Sequence, residues 1–208
     1  MIRVKEIASG VAVLAGIVYA WNRAWKTDFA SIGKSQVSPS GEIRRPNVMH
    51  VQGREIEGGR YAKTVSESDF AEGEVLMTLE FLKCSDKTYQ TLQLGQLTHA
   101  IEIFSSYFNH NCNPSVKIVV LTEKVDELLL NGVILADVVA LRDIAAGDEI
   151  NFAYFTTEWD MAEKFQCKCG FENCCGLVGG AKSMERNLLR PYEDQLLDHI
   201  KHSLDSGE

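Results

Sequence analysis

The chain is short of positive charge: 21 Lys and Arg stand against 29 Asp and Glu, a formal net charge of −8. That deficit argues against a nucleic-acid binder held by counterion release, unless a local basic patch forms, so no direct nucleic-acid contact is expected. Four prolines and 16 glycines in 208 residues exclude collagen-like and proline-rich architectures. No internal repeat is visible. Long apolar runs are also missing. The stretch Ile7 to Trp21 has fifteen residues with Ser9 as its polar member, short of the ~20 that a helix needs to span a bilayer.

That stretch leaves three readings open. It fits a signal-peptide core, with Val18-Tyr19-Ala20 as a small-residue cleavage site. It fits a short anchor with Trp21 and Trp25 at the interface. It also fits an apolar helix packed on its own domain. Residues 7–21 are therefore the candidate membrane contact. A cysteine cluster kept as thiolates suits a reducing compartment. An intracellular protein of cytoplasm or nucleus is expected, with a membrane-anchored form as the alternative.

What is present is ordinary globular composition, 45% apolar and 24% charged, in a chain long enough for a sizeable core. The six cysteines are more informative. Cys167, Cys169, Cys174 and Cys175 fall within nine residues, and Cys84 and Cys112 lie apart. Disulfide scaffolds spread bridges along a small secreted chain, whereas a tight cluster suggests a metal site. The spacing C-x-C-x₄-C over Cys167, Cys169 and Cys174 suits soft thiolate ligation of tetrahedral Zn²⁺. Three ligands do not close such a site. Cys175 is a poor fourth, because adjacent side chains point apart, so Cys112 and Cys84 are candidates. A group of free thiols is the alternative.

The chain divides into an apolar segment (1–26), a polar, turn-rich linker (27–49), a main domain (50–156), a cysteine segment (157–180) and a helical tail (181–208). Strands dominate the main domain. Glu74 to Phe81 sets Val75, Met77, Leu79 and Phe81 on one face. Leu128 to Leu130, Asn131-Gly132 and Val133 to Leu135 read as a hairpin. Ala146-Gly147-Asp148 turns the chain into a strand over Glu149 to Tyr154. The spacing of Leu97, Ile101, Phe104 and Phe108 suits a helix. Pro191 at a helix start, then Tyr192, Leu196, Ile200 and Leu204, predicts an amphipathic helix of about four turns.

Two motifs precede the cysteines: Asn109-His110-Asn111-Cys112-Asn113-Pro114-Ser115 and Gly147-Asp148-Glu149-Ile150-Asn151-Phe152-Ala153-Tyr154. Upstream stand Gly58-Gly59-Arg60-Tyr61-Ala62 and Asp69 to Gly73. In this order and spacing, over about residues 50–180, the chain resembles the SET-domain protein lysine methyltransferases. That family has an N-H-x-C-x-P-N box, a G-E-E-[apolar]-x-F-D-Y box and a C-x-C-x₄-C post-SET segment. This chain departs from the pattern at Ala153 (usually Asp), Ser106 (often Arg) and Ser115 (usually Asn).

The resemblance implies a mainly β fold, the SET-type β-clip of small sheets with a knot-like C-terminal threading, here with a C-terminal helix. It implies S-adenosylmethionine on one face and a lysine of a protein substrate entering a channel from the other. Gly59, Arg60, Tyr61, Asn109, His110 and Tyr154 match the cofactor-binding positions, and Tyr154 and Phe152 the catalytic ones. Cys112 is implied as the ligand that completes a structural Zn²⁺ with Cys167, Cys169 and Cys174. At Phe152 the family tunes how many methyls are added, and Phe leaves room for more than one. Trp159, Met161 and Phe165 are candidates to cap the cofactor pocket. Cys84 is expected to be a small buried hydrophobe and Cys175 spare. The alternative is a catalytically weak or silent SET-like binding module stabilised by zinc.

The residues themselves support the chemistry. Phe152 and Tyr154, two apart on a strand, share a face. Methyl transfer to an amine needs the neutral amine, and lysine has a pKa of ~10.4 in water. An apolar channel beside a positive sulfonium lowers it. The protein then mainly aligns the two reactants.

Overall fold

The computed structural model describes residues 36–37, 43–45, 47–56 and 59–207, with side chains described for 47–53 and 62–207. The apolar run 7–21 lies outside the described residues. Thirteen strands are described: β1 (Gln36–Val37), β2 (Ile43–Arg45), β3 (Met49–Ile56), β4 (Gly59–Ser66), β5 (Val75–Cys84), β6 (Leu92–Gln93), β7 (His99–Ile101), β8 (Asn109–His110), β9 (Val116–Val120), β10 (Val133–Ala140), β11 (Glu149–Phe152), β12 (Phe165–Gln166) and β13 (Leu177–Val178). Two helices follow, α1 (Arg186–Leu189) and α2 (Asp198–Ser206). The protein is mainly β, built of small sheets with a short C-terminal helix, as expected. Among the described residues no helix is long and apolar enough to cross a membrane.

One sheet runs β1-β2-β3-β4-β11-β8, a second runs β6-β7-β5-β10-β9, and β12 pairs with β13 alone. Part of the stretch expected as linker therefore forms strands. β1 and β2 are only two and three residues long, too short for alternation to show, and pairing onto β3 holds them. The core joins Leu79 and Phe81 of β5, Ile134, Ala136 and Val138 of β10, Phe104, Phe108, Ile150 and Phe155. Met77, Leu79 and Phe81 face it as predicted, but Val75 is 47% exposed and Leu76 is buried. A bulge explains this: Val138 pairs with Met77 and Val139 with Val75, so the strand skips one residue and turns Val75 outward.

Three other expectations fail for identifiable reasons. Leu97 to Phe108 is not a helix; it is β7 followed by a 3₁₀ turn at Ser105–Tyr107. Pairing of His99 to Ile101 with the end of β5 outweighs the helical spacing, and Leu97 is 84% exposed. Asn131 does adopt positive φ (63–65° is the range seen at Asn47 and Asn131), yet Leu128 to Leu130 is no strand. The partners of β10 are instead the preceding strand β9 and the distant β5. The tail helix is shorter than predicted, because Leu197 is extended and its N–H goes to the Thr156 carbonyl at 2.9 Å.

Candidate functional site

The site forms where β8 runs parallel to β11, with Asn109 opposite Asn151 and His110 opposite Phe152. Ser115 zips the two segments together. Its N–H donates to both the backbone and side-chain oxygens of Asn151, at 3.1 and 3.0 Å, and its hydroxyl accepts the Asn151 N–H at 2.9 Å. The serine that departs from the motif thus has a defined structural role. Ser106, also a departure, closes the preceding turn by donating to the Glu102 carbonyl at 2.9 Å. Ala153 is buried.

The turn into β11 needs its glycine: Gly147 has φ of +97°, a conformation that L side chains rarely adopt. β11 ends at Phe152, two residues earlier than expected, and Tyr154 opens a 3₁₀ turn, Tyr154–Thr156. The two rings still meet, with centroids 4.9 Å apart. The Tyr154 hydroxyl donates to the Phe108 carbonyl at 2.7 Å, which fixes the phenol against the box segment.

Asn109 is half-buried, and its amide donates to the Ala62 carbonyl at 3.1 Å and to Glu149 Oε1 at 2.7 Å. His110 stacks edge-on against Tyr154 and Phe155. Its Nδ1 accepts the Tyr154 N–H at 3.1 Å, and its Nε2 lies 3.3 Å from Cys112 Sγ. Burial lowers its pKa to about 4, so the ring is neutral at pH 7. Gly59, Arg60 and Tyr61 begin β4, which neighbours β11; the Arg60 and Tyr61 side chains lie outside the described residues.

The metal prediction has a clear geometric counterpart. The sulfurs of Cys112, Cys167, Cys169 and Cys174 all lie within 4.8 Å of one another, and Cys112 and Cys167 are 3.9 Å apart. Thiolates ~2.3 Å from one tetrahedral Zn²⁺ have neighbouring sulfurs at comparable separations, so this donor set fits the ion. Burial pushes the Cys112 thiol up to about 12. Burial also acts on Cys169, but the Phe171 N–H and neighbouring thiols bring it down to about 7. Loading a dication on such thiols must release protons. Cys175 is not remote: its N–H and Sγ lie 3.4 and 3.5 Å from Cys112 Sγ. Cys84 is half-buried rather than enclosed, with its thiol donating to the His99 and Asp86 carbonyls.

Of the three candidate cap residues, Phe165 reaches the site, with its ring 6.1 Å from Tyr154 and 6.2 Å from His110. Trp159 instead packs on the core, its N–H donating to Gln93 Oε1, and the Met161 N–H pairs with the Gly179 carbonyl. Several contributors carried no local sequence signal. Tyr192, from the tail, donates its hydroxyl to the Cys112 carbonyl and packs on Phe155. His199 Nε2 donates to the Thr157 carbonyl at 2.8 Å.

The SET domain family model matches residues 24–155. The chain belongs to the SET-domain family. Among the relatives of this SET-domain chain, the methyltransferase flvH of Aspergillus flavus is 38% identical over 120 residues, which cover 57% of this chain and 60% of that protein. A histone-lysine N-methyltransferase of Aspergillus oryzae, named as H3 lysine-36 specific, is 34% identical over 100 residues, 47% of this chain and 10% of that protein. The match thus spans less than two thirds of either relative. A solved structure, KRYPTONITE in complex with mCHG DNA and SAH, aligns over 62% of this chain and 29% of that one, at 14% identity and a TM-score of 0.45.

Proposed function

We propose that this SET domain transfers a methyl group from S-adenosylmethionine to the ε-amine of a lysine in a protein substrate. The observation that carries this reading is the fixed Tyr154 phenol. It is held by the Phe108 carbonyl, flanked by Phe152 and Phe165, and placed at the junction of β8 and β11. Relatives named as methyltransferases and histone-lysine methyltransferases support it.

The bound cofactor supplies an electrophilic methyl on a sulfonium. Aromatic rings and carbonyl oxygens fit a cationic group, and both line this junction. The proposed cofactor-binding residues lie on β4 (Gly59, Arg60, Tyr61) and β8 (Asn109, His110), which flank β11 in one sheet. Tyr154 orients the amine and the methyl; at a pKa near 10 a phenol is a poor general base at neutral pH. Phe152 forms the wall beside it and leaves room for di- and trimethyl products. Cys112, Cys167, Cys169 and Cys174 would hold a structural Zn²⁺ that ties the cysteine segment to the box. The protein works inside the cell, where thiols stay reduced.

The test is transfer of labelled methyl from S-adenosylmethionine to histone H3 and to a whole-cell extract, with Tyr154→Phe as the comparison. A drop of about 100-fold is expected from losing alignment. Equal labelling by the variant removes Tyr154 from the mechanism. Cofactor binding without transfer to any recipient would mark a binding module instead.

A further inference from the structure

Among the described residues, two groups of metal-capable side chains share Cys112. One is the four-sulfur set. The other is His110, Cys112 and Cys175. The hydrogen bonds of His110 decide what the second group is. A backbone N–H can only donate, and the Tyr154 N–H points at His110 Nδ1 from 3.1 Å. Nδ1 is therefore the acceptor, and a neutral ring must carry its proton on Nε2. That nitrogen lies 3.3 Å from Cys112 Sγ. A protonated Nε2 cannot ligate a metal; it donates to the sulfur. The second group is thus not a second metal site. It is a support for the first.

We propose that His110 is a positioning residue that couples the metal ligand Cys112 to the backbone of Tyr154, donating from Nε2 to the sulfur and accepting the tyrosine N–H at Nδ1. This rests on the reading of Cys112 as a ligand. The Cys175 N–H, at 3.4 Å, is a second donor to the same sulfur. Two N–H groups on the Cys112 sulfur fix its orientation and meet its lone pairs when it ligates. The imidazole polarises along its length, so charge gathered at the metal ligand strengthens the hold on the peptide that starts the Tyr154 turn. Partners of this kind orient metal ligands and typically change affinity 10- to 100-fold when lost.

The two arms are separable by isosteric substitution. In His110→Asn the amide oxygen takes the place of Nδ1 and keeps the tyrosine arm, but the side chain is too short to reach the sulfur. In His110→Gln the amide nitrogen takes the place of Nε2 and keeps the metal arm, but loses the acceptor for Tyr154. The full chain would be loaded with Zn²⁺ and titrated with a chelator, and loaded with Co²⁺ to read the thiolate charge-transfer band. The Tyr154 amide proton would be followed by NMR with and without metal. His110→Asn is expected to lose about 10-fold or more in metal affinity and to shift the Co²⁺ band. His110→Gln is expected to keep both, while its Tyr154 amide no longer responds to metal. Equal losses in both variants would mean a merely structural histidine, and no change in either would remove the coupling; both results overturn the proposal. None of these readings needs methyl transfer, so the proposal can fail while the enzymatic reading stands, and the reverse.

Discussion

The five-stranded sheet and the cysteine loop hold together by different means. β10 pairs with β5 from Val133 to Val139 and with β9 from Ala136 to Ala140, and its inward residues Ile134, Ala136 and Val138 are fully buried. The loop has two residues paired on each side; of its paired apolar members Val178 is buried, but Phe165 and Leu177 are 41% and 44% exposed. Ordering a residue costs about 1–2 kcal/mol of backbone entropy, and the loop buries little apolar surface to offset that. Its remaining asset is the convergence of sulfurs, and metal binding is folding free energy where no site pre-exists. One region is ordered by hydrophobic burial and the other, on the proposed reading, by ligation. Metal should therefore act on the second and spare the first.

Cys112→Ser is the sharpest way to break this division. Metal stoichiometry is expected to fall below one per chain and methyl transfer by more than about 100-fold, while the far-ultraviolet circular dichroism of the sheets stays in place. Full zinc retention would show that Cys112 is not a ligand. Phe81→Ala probes the other region. A loss of about 3–5 kcal/mol in urea unfolding is expected for a large side chain removed from a close-packed core, with metal content of the folded fraction unchanged. A loss under ~1 kcal/mol would mean that the core is loosely packed there.

Glu158 sits between the two regions and gives a smaller, pH-dependent effect. It accepts the Gln93 N–H from β6 at 2.7 Å, and its own carbonyl takes the Ala181 N–H beyond the loop. Burial pushes its carboxyl up to about 7. A carboxyl whose folded pKa is raised favours folding when protonated. That stability is fully present below about pH 4.5 and is lost as pH rises to about 7. Glu158→Gln mimics the protonated form. It should leave stability unchanged at pH 4 and raise it at pH 8 by roughly 1–3 kcal/mol, read from melts at both pH values. A variant no more stable at pH 8 than the parent would place the carboxylate in water.

The parts of the molecule legible in sequence are those whose residues carry their own signal. The trio Cys167, Cys169 and Cys174 is legible from what thiols bind, whereas the choice of Cys112 over Cys84 as their partner rests on the family resemblance; the four sulfurs do converge. The β5 face was legible from alternation, except at Val75, where a bulge set by the partner strand changes the count. Elements settled by partners far along the chain were misread. The segment around Ala100 follows the end of β5, β10 takes β5 and β9 as partners rather than the stretch Leu128 to Leu130, and the tail bends at Leu197 to reach Thr156. Tyr192 was invisible as a site residue for the same reason: nothing local says that its hydroxyl will find the Cys112 carbonyl 80 positions earlier.

The tail's reach has a practical side. The carbonyls of Thr156, Thr157 and Glu158 are taken up by Leu197, His199 and Ala181 in turn. A fragment trimmed at residue 180 would retain every recognisable motif and all six cysteines. It would also strip those three carbonyls, and that of Cys112, of the donors that seat them, leaving an intact signature on an unsupported turn. The motif boundary and the folding boundary of this protein are different places.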